Sequence, residues 1–184
     1  MEHSTRTPPV ITEPIQTLCR ELDASQEPGY VPVRQSRGSK SLECFVNVRR
    51  KVAKDGGRIQ FGWTIWEWPG VMIEAERHAN WISPRGNEID ITPKPSGISE
   101  ILFLPTNTWT YDYRRRAKRF HNIRRPVVDD PLVVEFIRIS EQIFSLEETR
   151  FPGPSINTQA PAFKELEALQ KEKRLIQCRL MSQY

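Results

Sequence analysis

Three residues carry the chemistry that this chain could perform: Cys44, His78 and Asp90, in that order along the sequence. A thiol near a helix N-terminus sits at the positive end of the helix dipole, which favours the nucleophilic thiolate. An imidazole can take the thiol proton and return it to a leaving group, and a carboxylate can orient that ring and stabilise its charged form. Cys44, His78 and Asp90 therefore suit a nucleophile, a general base and an orienting acid.

For these groups to meet, the chain must place them on suitable elements. Residues 41–57, SLECFVNVRRKVAKDGG, set Phe45, Val48 and Val52 on one helical face, with Ser41 as N-cap and Gly56-Gly57 as the stop. From Arg58 to Thr106 the composition changes to aromatic and β-branched runs, RIQFGWTIWEW, VMIEAERHANWIS, NEIDIT and EILFLPT, separated by turn residues. Four antiparallel strands are expected. Alternation puts Met72, Glu74, Glu76, His78 and Asn80 on one face and Ile73, Ala75, Arg77, Ala79 and Trp81 on the other. A turn at Pro84-Arg85-Gly86 would then bring Asp90 back across the ladder towards His78.

The segment HANWISPRGNEIDITP resembles the His-x-x-Trp, turn, Gly, strand, Asp-x-Thr signature of transglutaminase-like proteins, within the wider papain-like cysteine hydrolase group. The resemblance covers roughly residues 41–106, with Cys44 at the start of the preceding helix. It implies an α+β domain with a nucleophile helix packed on an antiparallel sheet. It also implies a catalytic set of Cys44, His78 and Asp90 and an upstream oxyanion-hole glutamine, for which Gln35 stands nearest. The expected function is a thiol-dependent acyl hydrolase or transferase of the peptidase, amidase or deamidase type, acting on a protein or peptide-like amide. The alternative is a non-catalytic binding module on the same scaffold.

Several neighbours have two readings. Glu76 shares the His78 face and could tune its charge or position substrate, or be a solvated strand acid. Asn47, nearly one turn after Cys44, could hydrogen-bond at the site or lie on the surface. Trp66 and Trp68 share one face and Trp63 takes the other, as core or as a cleft edge for an extended substrate. Cys19 and Cys178 fall on amphipathic helices and read as packing residues. Three cysteines without a CxxC pair exclude a disulfide framework and a zinc cage, so neither metal nor cofactor is expected.

The remainder of the 184 residues frames this core. Residues 1–40 read as an N-terminal arm with one short helix through Ile15, Leu18, Cys19 and Leu22. Residues 41–150 read as the hydrolase-like core with its packing helix, which opens at Asp129-Asp130-Pro131 and buries Val133, Phe136 and Ile137. Residues 151–184 read as an amphipathic helix through Ala162, Leu166, Leu169, Ile176 and Leu180, which leaves self-association open. The basic segment 111–125, YDYRRRAKRFHNIRR, has the composition of a phosphate-binding face. A net charge of +4 and the nearby acids argue instead for internal pairing and against a nucleic-acid partner. No apolar run approaches the ~20 residues of a membrane helix, and no apolar signal core follows the first residues, so a cytoplasmic protein without a membrane span is expected.

Overall fold

The computed structural model describes residues 5–95, 97–114, 120–151 and 158–184. Its described elements run α1 (Glu13–Leu22), β1 (Gly29–Pro32), α2 (Cys44–Asp55), β2 (Arg58–Trp68), β3 (Met72–Ile82), β4 (Glu88–Ile89), β5 (Glu100–Pro105), β6 (Ile123–Pro126), α3 (Pro131–Arg150) and α4 (Ala162–Gln183). This is an α+β architecture on one antiparallel sheet in the order β1-β5-β2-β3-β4, with β6 also on β3.

The sheet thus has six strands rather than four. The two extra ones are short edge strands whose prolines and arginines hide the β signal: β1 ends in Pro32, and β6 is Ile-Arg-Arg-Pro. The long β2–β3 hairpin is as expected, pairing Arg58 with Ile82 and Trp68 with Met72. Consecutive pairing then stops, because β5 crosses to the far side and lies between β1 and β2.

Alternation along β2 and β3 sorts the core. Trp63, Ile65, Ile73 and Ala75 pack with Ile15, Leu18 and Cys19 of α1 and with Leu102 and Leu104 of β5. Ala79, of the same parity as Ala75, meets Val48 of α2 together with Ile91. Helices α1 and α2 therefore cover one face. On the other parity, Trp68 and Met72 join Val133, Phe136 and Ile137 of α3 and Ile176 and Leu180 of α4. The N-terminal arm is accordingly part of the core, since α1 and β1 both contribute buried side chains. The apolar stripe of α4 packs against α3 of its own chain, where the Lys173 ammonium lies 5.0 Å from the Phe136 ring centroid.

Asp130 caps α3 by accepting from the Leu132 N–H at 2.8 Å, and Pro131 takes the first position, where no N–H is needed. At α2 the expected cap is corrected: the helix starts at Cys44 after Glu43, and Ser41 lies in a turn outside it. Between them Leu42 has φ 63°, a left-handed conformation uncommon for a leucine, and its side chain is exposed. No helix among the described residues is long and apolar enough to cross a membrane.

Candidate active site

The β3 edge opposite β2 is interrupted. Strand β6 pairs with Met72–Ala75 and β4 with Trp81 and Ile82, so residues 76–80 have no strand partner on that side among the described residues. The chain leaves β4 at Ile89 and turns to a different neighbour. Asp90 bridges Val33 in parallel, its N–H donating to the Pro32 carbonyl at 3.0 Å while the Arg34 N–H donates to the Asp90 carbonyl at 2.8 Å. The segment expected to continue as a strand through Thr92 is therefore a departure from the β3 ladder. His78 lies at the middle of the resulting gap.

The Asp90 carboxylate meets the His78 ring. Its Oδ2 is 3.0 Å from His78 Nε2, with the His78 side chain 3% exposed and that of Asp90 fully buried. The pair is a close charge contact by distance; the ring N–H is not aligned on the oxygen as a hydrogen bond requires. Asp90 Oδ1 accepts from the Thr92 N–H at 2.9 Å, which fixes the carboxylate. His78 and Asp90 do meet, but Asp90 reaches the ring from its bridge to Val33 and not across the β3 ladder as the hairpin spacing suggests.

Cys44 stands at the first position of α2, also buried. The first turn is clamped by Asn47, whose Oδ1 accepts from the Lys40 N–H at 3.0 Å and whose Nδ2 donates to the Lys40 carbonyl at 2.7 Å and to Thr92 Oγ1 at 3.2 Å. Asn47 is thus a buried tie between the helix, the loop before it and the segment carrying Asp90. It is not a surface residue. Tyr113 adds a second tie, donating from its hydroxyl to the Phe45 carbonyl at 3.2 Å.

Electrostatics link Cys44 to His78. Burial would push the His78 pKa down, but the Cys44 thiolate and then the Asp90 carboxylate outweigh it and raise the value to about 9. Both Cys44 and Asp90 act upward on the ring, against burial and the Lys94 charge. Asp90 moves oppositely. Burial raises its pKa, while the His78 and Lys94 charges and the Thr92 N–H bring it down to about 2. No hydrogen bond joins Cys44 to His78 among the described residues.

Lys94 was not foreseen from sequence. Its ammonium reaches the same Asp90 Oδ2 at 2.9 Å, with its side chain 9% exposed, and lies 5.6 Å from the Trp66 ring centroid. The signal was an i, i+4 Asp/Lys spacing inside Asp-Ile-Thr-Pro-Lys-Pro, where the flanking prolines read only as a turn. Trp66 is buried in a cluster with Val31, Ile101 and Phe103, and its Nε1 donates to Glu76 Oε2 at 2.9 Å. Glu76 is therefore a partner of Trp66 on the His78 face rather than a solvated strand acid. Gln35 is exposed on the loop whose backbone runs beside Asp90 and Ile91, and no hydrogen bond ties its side chain to Cys44 among the described residues.

The remaining candidates separate from this group. Burial and then Glu27 push the Cys19 thiol up to about 11, and Cys178 is exposed on α4. In the basic segment Arg124 is ion-paired with Glu74 and Arg125 Nη2 lies 2.9 Å from Glu21 Oε2. Phe120 and Ile123 pack inward, while residues 115–119 fall outside the described residues. Among the described residues no group of three or more His, Cys, Asp or Glu is placed to hold a metal ion. No family model, no curated protein and no solved structure matches the chain.

Proposed function

We propose that the chain is a thiol-dependent acyl hydrolase or transferase with Cys44 as nucleophile, His78 as proton carrier and Asp90 as orienting acid, similar in plan to the transglutaminase-like and papain-like cysteine hydrolases. The observation that carries this reading is the buried His78–Asp90 contact of 3.0 Å, with Cys44 among the groups that raise the pKa of the ring.

In the proposed reaction the Cys44 proton passes to His78, and the sulfur forms a bond to the substrate carbonyl carbon. Collapse of the tetrahedral adduct breaks the carbonyl C–N bond, and His78 gives its proton to the departing amine. The resulting thioester is cleaved by water, or by an amine acceptor in a transferase, with His78 taking the proton of the attacking group. The substrate is a protein or peptide-like amide.

A second reading is favoured by one specific observation. Cys44 and His78 are 7% and 2% exposed, and Lys94 also engages the orienting carboxylate, as suits a non-catalytic binding module on the same scaffold. Acyl trapping separates the two. After incubation with p-nitrophenyl acetate, peptide mass spectrometry is expected to find a hydroxylamine-labile acetyl group on Cys44. It should be absent in His78→Ala and unchanged in Cys19→Ala and Cys178→Ala. Acetylation confined to Cys178, or equal in His78→Ala, would sink the enzyme reading.

A further inference from the structure

On the His78 face of the sheet lies a cavity of about 210 Å³, bounded by Glu27, Tyr30 and Val31 on the β1 side, by Phe103 of β5, and by Glu88 of β4. It is smaller than the ~300–1,000 Å³ of sites that enclose a drug-sized ligand, and so suits a single side chain. We infer that this cavity is the subsite for a positively charged side chain, a lysine or arginine, of the peptide-like substrate; the inference rests on the acyl-transfer reading above.

Its position follows from the sheet register. His78 pairs across the ladder with Gly62, and a Cβ at Gly62 would lie 2.3 Å from Phe103 Cζ. The absence of that Cβ lets the Phe103 ring lie over the strand directly beside His78, with ring centroids 6.5 Å apart. The same Phe103 forms a wall of the cavity. Asn80, the next residue on the His78 face of β3, donates from Nδ2 to Glu88 Oε1 at 3.0 Å and so fixes the opposite wall. Two residues along β3, about 6–7 Å, thus separate the proton carrier from the Asn80 that holds the side-chain anchor.

The chemistry of the walls selects the ligand. Two carboxylates, Glu27 and Glu88, line one small cavity, and neither is salt-bridged among the described residues. Burial pushes the Glu88 carboxyl above its ordinary range, against the Asn80 amide and the more distant Arg58 charge, as for an acid lacking a close cation. The ring of Phe103 on the His78 face offers an aromatic wall to a cation. An ammonium or guanidinium would supply the missing charge, and its aliphatic stem would lie along Val31 and Phe103.

The test is a titration of the full chain, followed by ¹H–¹⁵N spectra, with the N-acetyl methylamides of lysine, arginine, norleucine and glutamate. The lysine and arginine compounds are expected to shift the amides of Gly29, Tyr30, Val31 and Phe103 saturably, with norleucine and glutamate giving no saturable shift. Glu88→Gln, which keeps the shape and a polar group for Asn80, should weaken lysine binding about tenfold, and Glu27→Gln at the exposed rim about two- to threefold. Each variant should retain the dispersed spectrum of the folded chain. Equal binding of norleucine, an unchanged affinity in Glu88→Gln, or no shift with any compound would overturn the subsite. Because the readout is binding, lysine recognition without acylation of Cys44 would leave the subsite standing and remove the acyl-transfer reading alone.

Discussion

At the scale of the residue, one carboxylate oxygen serves two cations. Asp90 Oδ2 lies 3.0 Å from His78 and 2.9 Å from Lys94, so the lysine competes for the charge that would otherwise hold the imidazolium. Lys94 lowers the His78 pKa against the upward pull of Cys44 and Asp90. Lys94→Met, which keeps the stem beside Trp66 and removes the charge, is expected to raise the His78 titration midpoint further, read from its ring-proton NMR shift. An unchanged midpoint would show that Lys94 is electrostatically silent towards the ring. The groups facing His78 were unequally legible in the sequence. His78 and Asp90 could be read from strand parity and a hairpin spacing, because those are local regularities. Lys94 was hidden because its partner is reached through a proline-bounded turn that carries no period. Asn47 could be placed near the site by helical spacing, but its role as a clamp depends on Lys40 and Thr92, which meet only in the folded chain.

At the scale of the element, each functional group is placed by an end or an interruption of regular structure. Cys44 is at a helix start, Asp90 is where the chain abandons the β3 ladder, and His78 faces the gap left between β4 and β6. The helices and the β2–β3 hairpin were legible because their apolar periods span ten or more residues. Strands β1 and β6 were not, since four residues with proline at the end give alternation nothing to repeat, and their pairing with β5 and β3 is long-range. The expected N-cap at Ser41 failed for a related reason: the turn before Cys44 is set by the Asn47 clamp rather than by a side-chain cap. The cap that did form is testable. Asp130 accepts from Leu132 N–H and also from Gln183 Nε2 at 3.0 Å, joining the start of α3 to the end of α4. Asp130→Ala should lower stability by about 1 kcal/mol in urea unfolding, with an unchanged m-value. A loss within ~0.3 kcal/mol would mean that water replaces the cap at no cost.

At the scale of the whole molecule, the buried charges couple the site to folding. His78 rises from 6.5 to about 9, so its contribution to stability is complete below pH 6.5 and is lost as pH rises through about 9. Asp90 falls from 3.8 to about 2, so its contribution is present above pH 3.8 and is lost as pH falls towards 2. The urea midpoint should therefore decline on both sides of a plateau from about pH 4 to 6.5 as far as these two groups govern it. In His78→Ala the decline between pH 6.5 and 9 should be smaller than in the native chain. An alkaline decline of the same size in both proteins would remove His78 as its source.

In the proposed site Cys44 and His78 act as one electrostatic unit. The most direct measurement is the pH titration of the His78 ring-proton shift in the native chain and in Cys44→Ala, with His121 as an internal reference. His121 packs on Phe144, and burial, followed by Arg124, lowers its pKa. The His78 midpoint should lie near 9 in the native chain and distinctly lower in Cys44→Ala, with the His121 curve unmoved. The same His78 midpoint in both proteins would contradict it.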